Sequence, residues 1–383
     1  MPHNASNLAI VRTLAIPIDP KFYNSQELGL GRALLKHGVS TDVYVASDKK
    51  ELTETTIEEE SGAHLRLMEC PFRPLPFVSQ AWMPKVAQRL GENDYDLIHV
   101  NESNEIESWR IARLAQRRTI PLLLYQGMYQ PIPGRVQSTF QAMFDRLLLP
   151  SLRRNTTLAF GKTQRAAQFL KTRGFDSPGV LPVGLDPAPL STPSSTDWRA
   201  KLEIPENRIM ILYVGVLEER RNPALILELA TRNPEFAFVI AGTGPEFDSI
   251  QQKVRERQLN NLHLLGQITQ DSLPDLYRSS DLSLLPSTYE IYGMTVLESM
   301  YFGVPVLASN AAGPESIIDH EENGWLIDCM SVDKWHDTLA RITSSQAFLA
   351  EIGEKAKHKI NDKLTWHAIA GYYKELINST KRI

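Results

Sequence analysis

The sequence predicts an α/β protein of two doubly wound, parallel-sheet domains that face each other across a cleft. Three observations carry that expectation. The chain has 383 residues, too many for one ordinary core and about right for two domains of roughly 150–200 residues each. Short runs rich in Val, Ile and Leu alternate with longer amphipathic stretches, the pattern of strands buried on both faces by crossover helices. The alternation breaks at GVLPVGLDPAPLSTPSSTDW (179–198), a Pro- and Ser-containing linker, and then restarts.

In the first half, LAIVRTLAI reads as a strand, SQELGLGRALLKHG as a helix and STDVYVAS as a strand. DLIHVN, ESWRIARLAQRR and IPLLLYQG repeat strand, helix, strand. In the second half, IMILYVG, PALILELATR, FAFVIAG, EFDSIQQKVRERQL, NLHLLG, LPDLYRS and DLSLLPS continue the alternation. In open sheets of this kind ligands sit at the carboxyl ends of the strands, so the loops after the strands are the expected functional ones.

Composition removes several function classes. The net charge is −4, so no global positive field is available to grip nucleic acid, and no nucleic-acid partner is expected. Cys70 and Cys329 are the two cysteines; with no C-x-x-C or Cys/His cluster around them, neither a disulfide framework nor a metal site is expected. The N-terminal MPHNASNLAIVRTLAI lacks the layout of a secretory leader and no apolar run reaches the length of a membrane span, which makes a cytoplasmic location the expectation. FGKT (160–163) lacks the preceding glycine of a phosphate loop, since position 156 is Thr. LGLGRALL supplies two glycines of a dinucleotide fingerprint, but inside a helix, so no NAD site is expected. DYD (94–96) reads as the start of a strand, and neither H-E-x-x-H nor G-x-S-x-G occurs.

The informative stretch is STYEIYGMTVLESMYFGVPV (287–306). DLSLLPS before it reads as a strand and MTVLESMYFG (294–303) as a helix. Glu290 therefore projects from the loop after a strand, and Gly293 permits a tight turn into the helix. The first helical N–H groups, those of Met294 and Thr295, are donors at a positive helix end and suit a phosphate. Glu298, one turn further in, can accept hydrogen bonds from vicinal hydroxyls such as those of a ribose. An anion binder and two polyol acceptors this close together describe a nucleotide diphosphate sugar.

EIYGMTVLE resembles the E-x7-E signature of retaining glycosyltransferases of family 4, which have the GT-B fold of two Rossmann-like domains. The surrounding LPSTYEIYGMTVLESMYFGVPVLASNAAGPESIIDHEENGWLI follows the family pattern. So do YVGVLEERRNP (213–223), IAGTGPE (240–246), FGKTQRAAQFLKTRG leading to PVGLDP (182–187), and LTWHAIAGYYKELI (364–377). The resemblance covers nearly the whole chain, most strongly between about 205 and 330. It implies an acceptor-side domain over 1–186, a donor-binding domain over 187–365, and a C-terminal helix over 366–383, near Trp366, that returns to the first domain.

The resemblance also implies site residues. Glu298 would hold the nucleotide ribose and Glu290 would contact the donor sugar. The family has a basic pair after Gly215; here Val216 stands at its first position, while Arg221 keeps the second, flanked by Arg220. Arg220 and Arg221 are expected to meet the charge that develops on the departing diphosphate. Gly215 and the backbone of LLGQI (264–268), ending at Ile268, are expected against the donor. Position 126, where relatives have His, is Gln126; it can position a donor or acceptor hydroxyl but cannot take a proton, which suits the family's front-face mechanism. Asn24 to Glu27 replace the family's diglycine, and Ser25 with Glu27 reads as helix-start chemistry. QSTFQAMFDRLLLPSLRRNTT (137–157) and PFRPLPFVSQAWMPKVAQRLG (71–91) either face the core, the preferred reading, or lie on a membrane surface, as in relatives that act on lipid carriers.

The expected activity is metal-independent retaining transfer of a hexose or N-acetylhexosamine from a UDP- or GDP-linked donor to a hydroxyl of a glycan or lipid-linked acceptor. No cofactor is expected beyond that donor substrate. The expected location is cytoplasmic, with peripheral contact at the inner membrane face if the lipid reading holds. Two rivals remain open: a nucleotide-sugar 2-epimerase of the same fold, and a catalytically silent sugar-nucleotide-binding subunit.

Overall fold

The computed structural model describes residues 6–14, 25–74, 81–131, 134–191, 195–328 and 330–381. Asn24 and Cys329, named above, lie outside the described residues. The chain divides into two compact units, one formed by Met1–Asp186 with Trp366–Ile383 and the other by Pro187–Thr365.

The first unit is built on a sheet whose strands lie in the order Gly179–Val180, Leu158–Gly161, Leu122–Gln126, Leu97–Asn101, Ser6–Val11, Val39–Ser47, Ala63–Pro71, Thr53–Glu60. All neighbours pair in parallel except the last two. The sheet is parallel as expected, with one antiparallel edge strand. TETTIEEE has no apolar run to mark it as a strand, and its exposed glutamates and threonines suit an edge that must not recruit another chain. The segment 179–198 is also less of a linker than it reads. Gly179–Val180 is a paired strand, and Trp198, only 5% exposed, opens a short helix capped by Asp197, whose side chain accepts from the N–H of Ala200.

Helix Gln26–Leu35 packs against the last helix, Trp366–Thr380. Ser25 caps the former, accepting from the N–H of Leu28, as the helix-start reading has it. The glycines of LGLG serve close packing: a Cβ on Gly29 would lie 2.6 Å from the Trp366 ring. Trp366 N–H donates to the Leu185 carbonyl at 2.9 Å, and the Lys374 ammonium donates to the His37 carbonyl at 2.7 Å. The Tyr373 hydroxyl lies 3.2 Å from His99 Nδ1. On a separate core cluster, helices Pro84–Glu92, Ile106–Arg118, Arg135–Leu147 and Leu149–Arg154 bury Val86, Leu90, Ile111, Phe144 and Leu152. The two amphipathic segments thus have core-facing residues, while the outer face of Arg135–Leu147 remains exposed.

The second unit has a parallel sheet in the order Leu262–Gly266, Ala237–Ala241, Met210–Val214, Leu282–Leu285, Val306–Ser309, Trp325–Ile327. The chain winds outward from Met210–Val214 in one direction, then returns to its other side with Leu282–Leu285 and winds outward the opposite way. The point between these two strands is a topological switch point. Ile211, Tyr213, Phe238, Ile240, Trp325 and Trp335 fill one core beneath the sheet, each large side chain contributing about 1.5–3 kcal/mol by leaving water.

Candidate functional site

The two loops that leave the switch point of the second unit carry most of the residues singled out in the sequence. After Met210–Val214, Gly215 N–H donates to the Ala241 carbonyl at 3.0 Å. A Cβ on Gly242 would stand 1.9 Å from the Gly215 carbonyl oxygen, so the neighbouring loops close on each other through bare backbone. Val216 is half exposed, and its carbonyl accepts from the Tyr213 hydroxyl at 2.9 Å. A single turn, Glu219–Arg221, follows, and Asn222 adopts the left-handed conformation before helix Pro223–Arg232 begins.

The loop after Leu282–Leu285 is tied to that turn. Thr288 N–H donates to the Arg220 carbonyl at 2.8 Å, and the Arg220 guanidinium donates to the Tyr289 carbonyl at 3.3 Å and pairs with Glu218 at 2.7 Å. Arg221 forms an ion pair with Glu290, which is 5% exposed, and reaches the Ser287 hydroxyl at 3.5 Å. Burial, followed by the neighbouring Arg220, pushes the Arg221 guanidinium below its usual value. Its Nε is buried and has no hydrogen-bond partner among the described residues. A buried donor of this kind is costly unless something else satisfies it.

Gly293, at φ 90°, turns the chain into helix Met294–Tyr301, and no side chain caps that helix. The N–H groups of Met294 and Thr295 head the helix and have no acceptor within it. Glu298 is 1% exposed, where an ordinary helix glutamate would be solvated, and it accepts from the Tyr277 hydroxyl at 2.8 Å. Tyr277 belongs to helix Leu273–Arg278, and its ring stacks on Phe302 with centroids 5.6 Å apart. Sequence reasoning missed Tyr277, because nothing local in LPDLYRS marks that tyrosine as a partner of Glu298. Ile268 lies half buried in the loop after Leu262–Gly266.

Gln126, in the first unit, is engaged by its own surroundings. It is 0% exposed; its carbonyl oxygen accepts from Ser103 N–H at 2.8 Å, and its amide nitrogen donates to Glu102 at 2.6 Å and to the Met128 carbonyl at 3.0 Å. An amide with two donors and one carbonyl so engaged has little left for a sugar hydroxyl. Gln126 holds the loop that follows Leu97–Asn101. That loop, NESNE (101–105), is itself buried: Glu102 sits at φ 60° and accepts from the N–H groups of Gly127 and Met128. Burial raises the carboxyl of Glu102, and raises that of Glu105 to about 8 with help from neighbouring Glu102 and Glu107. The sequence signal that was overlooked is the density of polar residues directly after a buried strand. Lys162, discounted with FGKT, donates to Gln26 at 3.0 Å, and burial lowers its ammonium. Among the described residues, no group of three or more His, Cys, Asp or Glu side chains is placed to hold a metal ion.

Comparison with known proteins bears on the second unit and on the fold. Residues 194–359 match the family model described as glycosyl transferases group 1, a stretch that falls within the second unit. An uncharacterized glycosyltransferase of Methanocaldococcus jannaschii is 30% identical over 50% of this chain and 50% of its own. A D-inositol 3-phosphate glycosyltransferase of Corynebacterium jeikeium is 28% identical over 50% of this chain and 49% of its own. The chain spans about half the length of the curated relatives it matches. Among solved structures, sucrose-phosphate synthase from Thermosynechococcus elongatus superposes with a TM-score of 0.76 at 20% identity, covering 98% of this chain and 99% of that one. Anabaena HepE in complex with UDP and glucose gives 0.71 at 17% identity, covering 98% and 100%. Two parallel-sheet α/β units have this likeness: the fold is GT-B, and the second unit carries the match to glycosyl transferases group 1.

Proposed function

We propose that this protein is a retaining, metal-independent glycosyltransferase that moves a hexose or N-acetylhexosamine from a nucleotide diphosphate sugar to an acceptor hydroxyl. The observation that carries the reading is the Arg221–Glu290 pair at the switch point, with a buried Arg221 Nε beside it and the uncapped N-terminus of Met294–Tyr301 on the same loop. In this reading the diphosphate takes the helix N–H groups of Met294 and Thr295 and the guanidinium of Arg221, with Arg220 on its flank. Those fixed charges meet the negative charge that grows on the leaving oxygen. Glu298, oriented by Tyr277, accepts from the ribose hydroxyls, and Glu290 is released from Arg221 to contact the donor sugar. Gly215 and Ile268 contribute backbone against the nucleoside. Proton transfer from the acceptor goes to a phosphate oxygen on the face from which the diphosphate leaves, so no side-chain base is required.

HepE was solved with UDP and glucose, and a relative from Escherichia coli is a UDP-Gal:alpha-D-GlcNAc-diphosphoundecaprenol alpha-1,3-galactosyltransferase; both support a UDP-linked donor here. The test is thermal stabilisation of the purified chain by UDP, GDP, ADP and NAD, each with and without magnesium. A nucleoside diphosphate at 100 times its dissociation constant adds about 2.7 kcal/mol. A magnesium-independent shift with one of the three supports the reading and names the base. No shift with any nucleoside diphosphate at saturation rejects it.

A further inference from the structure

The first unit has a switch point of its own. Ser6–Val11 and Leu97–Asn101 are parallel neighbours, and the chain winds away from them in opposite directions. Towards the carboxyl end of this pair lies a cavity of about 10 Å³, lined by His99, Asn101, Tyr373, Gln26, Glu27 and Lys162 among others. That is the space of one water or one hydroxyl group. Two polar atoms of its wall have no partner among the described residues: Nε2 of His99, 3% exposed, and Oδ1 of Asn101, 6% exposed. Buried polar atoms left so are costly unless something satisfies them.

Both side chains are held in place. The Tyr373 hydroxyl meets His99 Nδ1 at 3.2 Å, and the Asn101 amide nitrogen donates to Glu27 at 3.4 Å. The Asn101 carbonyl accepts from the Thr13 and Ser108 hydroxyls at 3.1 and 2.6 Å. Burial, followed by the Lys162 ammonium, lowers His99 to about 3, so the imidazole is neutral. With Tyr373 donating to Nδ1, the ring proton sits on Nε2. The wall then presents one donor and one acceptor, and a single hydroxyl accepts from the first and donates to the second. The rim is polar as well. Gln26, Glu27 and Lys162 are half-buried, and Lys162 donates to Gln26 at 3.0 Å. Around that ammonium, Glu102 and Glu27 offset the positive charges of Lys162 and Arg12. A carboxylate, an ammonium and an amide with no charge left over suit the further hydroxyls of a neutral polyol, whereas a phosphate needs a net positive rim and an alkyl chain an apolar one.

We infer that this cavity takes one hydroxyl of a neutral polyol acceptor, with His99 and Asn101 as the residues that select it. The inference rests on the transfer reading for the role of acceptor, but its site shares no residue with the switch point of the second unit. It is tested by nitrogen NMR of the full chain carrying isotope-labelled histidine, with and without the nucleoside diphosphate that stabilises it. The neutral probes are methyl α-D-glucopyranoside and myo-inositol, and the anionic one is glucose 6-phosphate. A hydrogen bond made at Nε2 moves the His99 signal. Expected is a saturable shift of that signal with a neutral probe, and binding at least about tenfold weaker in Asn101→Leu, which removes one buried hydrogen-bond partner at nearly constant volume. The melting curve of the variant reports whether its fold is intact. The inference is overturned if no probe moves the His99 signal, which makes the cavity the place of an internal water. It is equally overturned if only glucose 6-phosphate moves it, or if folded Asn101→Leu binds the neutral probe as the wild type does. Failure of the transfer reading shows separately, as the absence of any thermal shift with a nucleoside diphosphate, and a His99 shift would then still mark a polyol site without the acceptor role.

Discussion

The guanidinium of Arg221 is paired with the carboxylate of Glu290, a residue 69 positions further along the chain, and each is the other's charged partner at the sheet's switch point. In the proposed reading the cation assigned to the diphosphate and the carboxylate assigned to the sugar are paired with each other, so a bound donor would exchange one partner for another.

Removing Arg221 acts on both states. Arg221→Ala leaves Glu290 buried without its cation, which costs about 3 kcal/mol of stability, measured by chemical denaturation. Turnover falls by roughly 10²–10³ if the guanidinium meets leaving-group charge. A correctly folded variant with more than half of the wild-type turnover would remove Arg221 from the chemistry.

The hydrogen bond from Tyr277 to Glu298 predicts a selective effect. Tyr277→Phe removes one hydrogen bond from the Glu298 carboxylate, and Glu298→Ala deletes a charged acceptor that contributes about 1.5–3 kcal/mol. By calorimetry, both should weaken binding of the preferred nucleoside diphosphate, Glu298→Ala more strongly. Neither should change the affinity of an analogue lacking the ribose hydroxyls. Equal losses with both ligands would mean that the pair is only part of the core.

Gln126→Ala tests whether this amide serves its own loop or a bound ligand. Loss of the amide strips Ser103 N–H, the Met128 carbonyl and Glu102 of a buried partner, at about 1–3 kcal/mol for each group left unsatisfied. The expected outcome is a less stable protein whose nucleotide affinity, measured below its melting range, is unchanged. A stable variant with altered affinity would restore Gln126 to a direct role.

Glu105 makes a pH prediction. Burial raises its carboxyl from 4.5 to about 8 in the folded state, so between those values the native chain holds a proton that the unfolded chain has lost. Stability from this group is therefore complete below pH 4.5 and is lost as pH rises through about 8, at about 1.4 kcal/mol per pH unit. Glu105→Gln should be close to neutral at acid pH and increasingly stabilising towards pH 8. Parallel denaturation curves for wild type and variant across that range would contradict the assignment.

Legibility of the fold followed burial. IMILYVG, FAFVIAG and LLLYQ could be read as strands because both faces of a parallel sheet are apolar. TETTIEEE could not, because an edge strand facing water is free to be charged. The helix opening at Gly293 was equally readable, since a left-handed turn before an uncapped helix is a local matter of one residue type. The partners of Glu298 and Gln126 were not: Tyr277 and Glu102 are brought to them by helix and strand packing, and no spacing rule links residues on different elements.

The sequence by itself determined the alternation of strands and helices, the restart near residue 200, and the glutamates, arginines and glycine that stand after strands, because those depend on periodicity and on the conformational limits of single residues. Tertiary structure alone decided that Arg221 faces Glu290, that Glu298 is buried against Tyr277, and that the Gln126 amide is engaged by its own loop. Such facts depend on which distant segments share a core and which faces are left to water. They follow from packing summed over the whole unit.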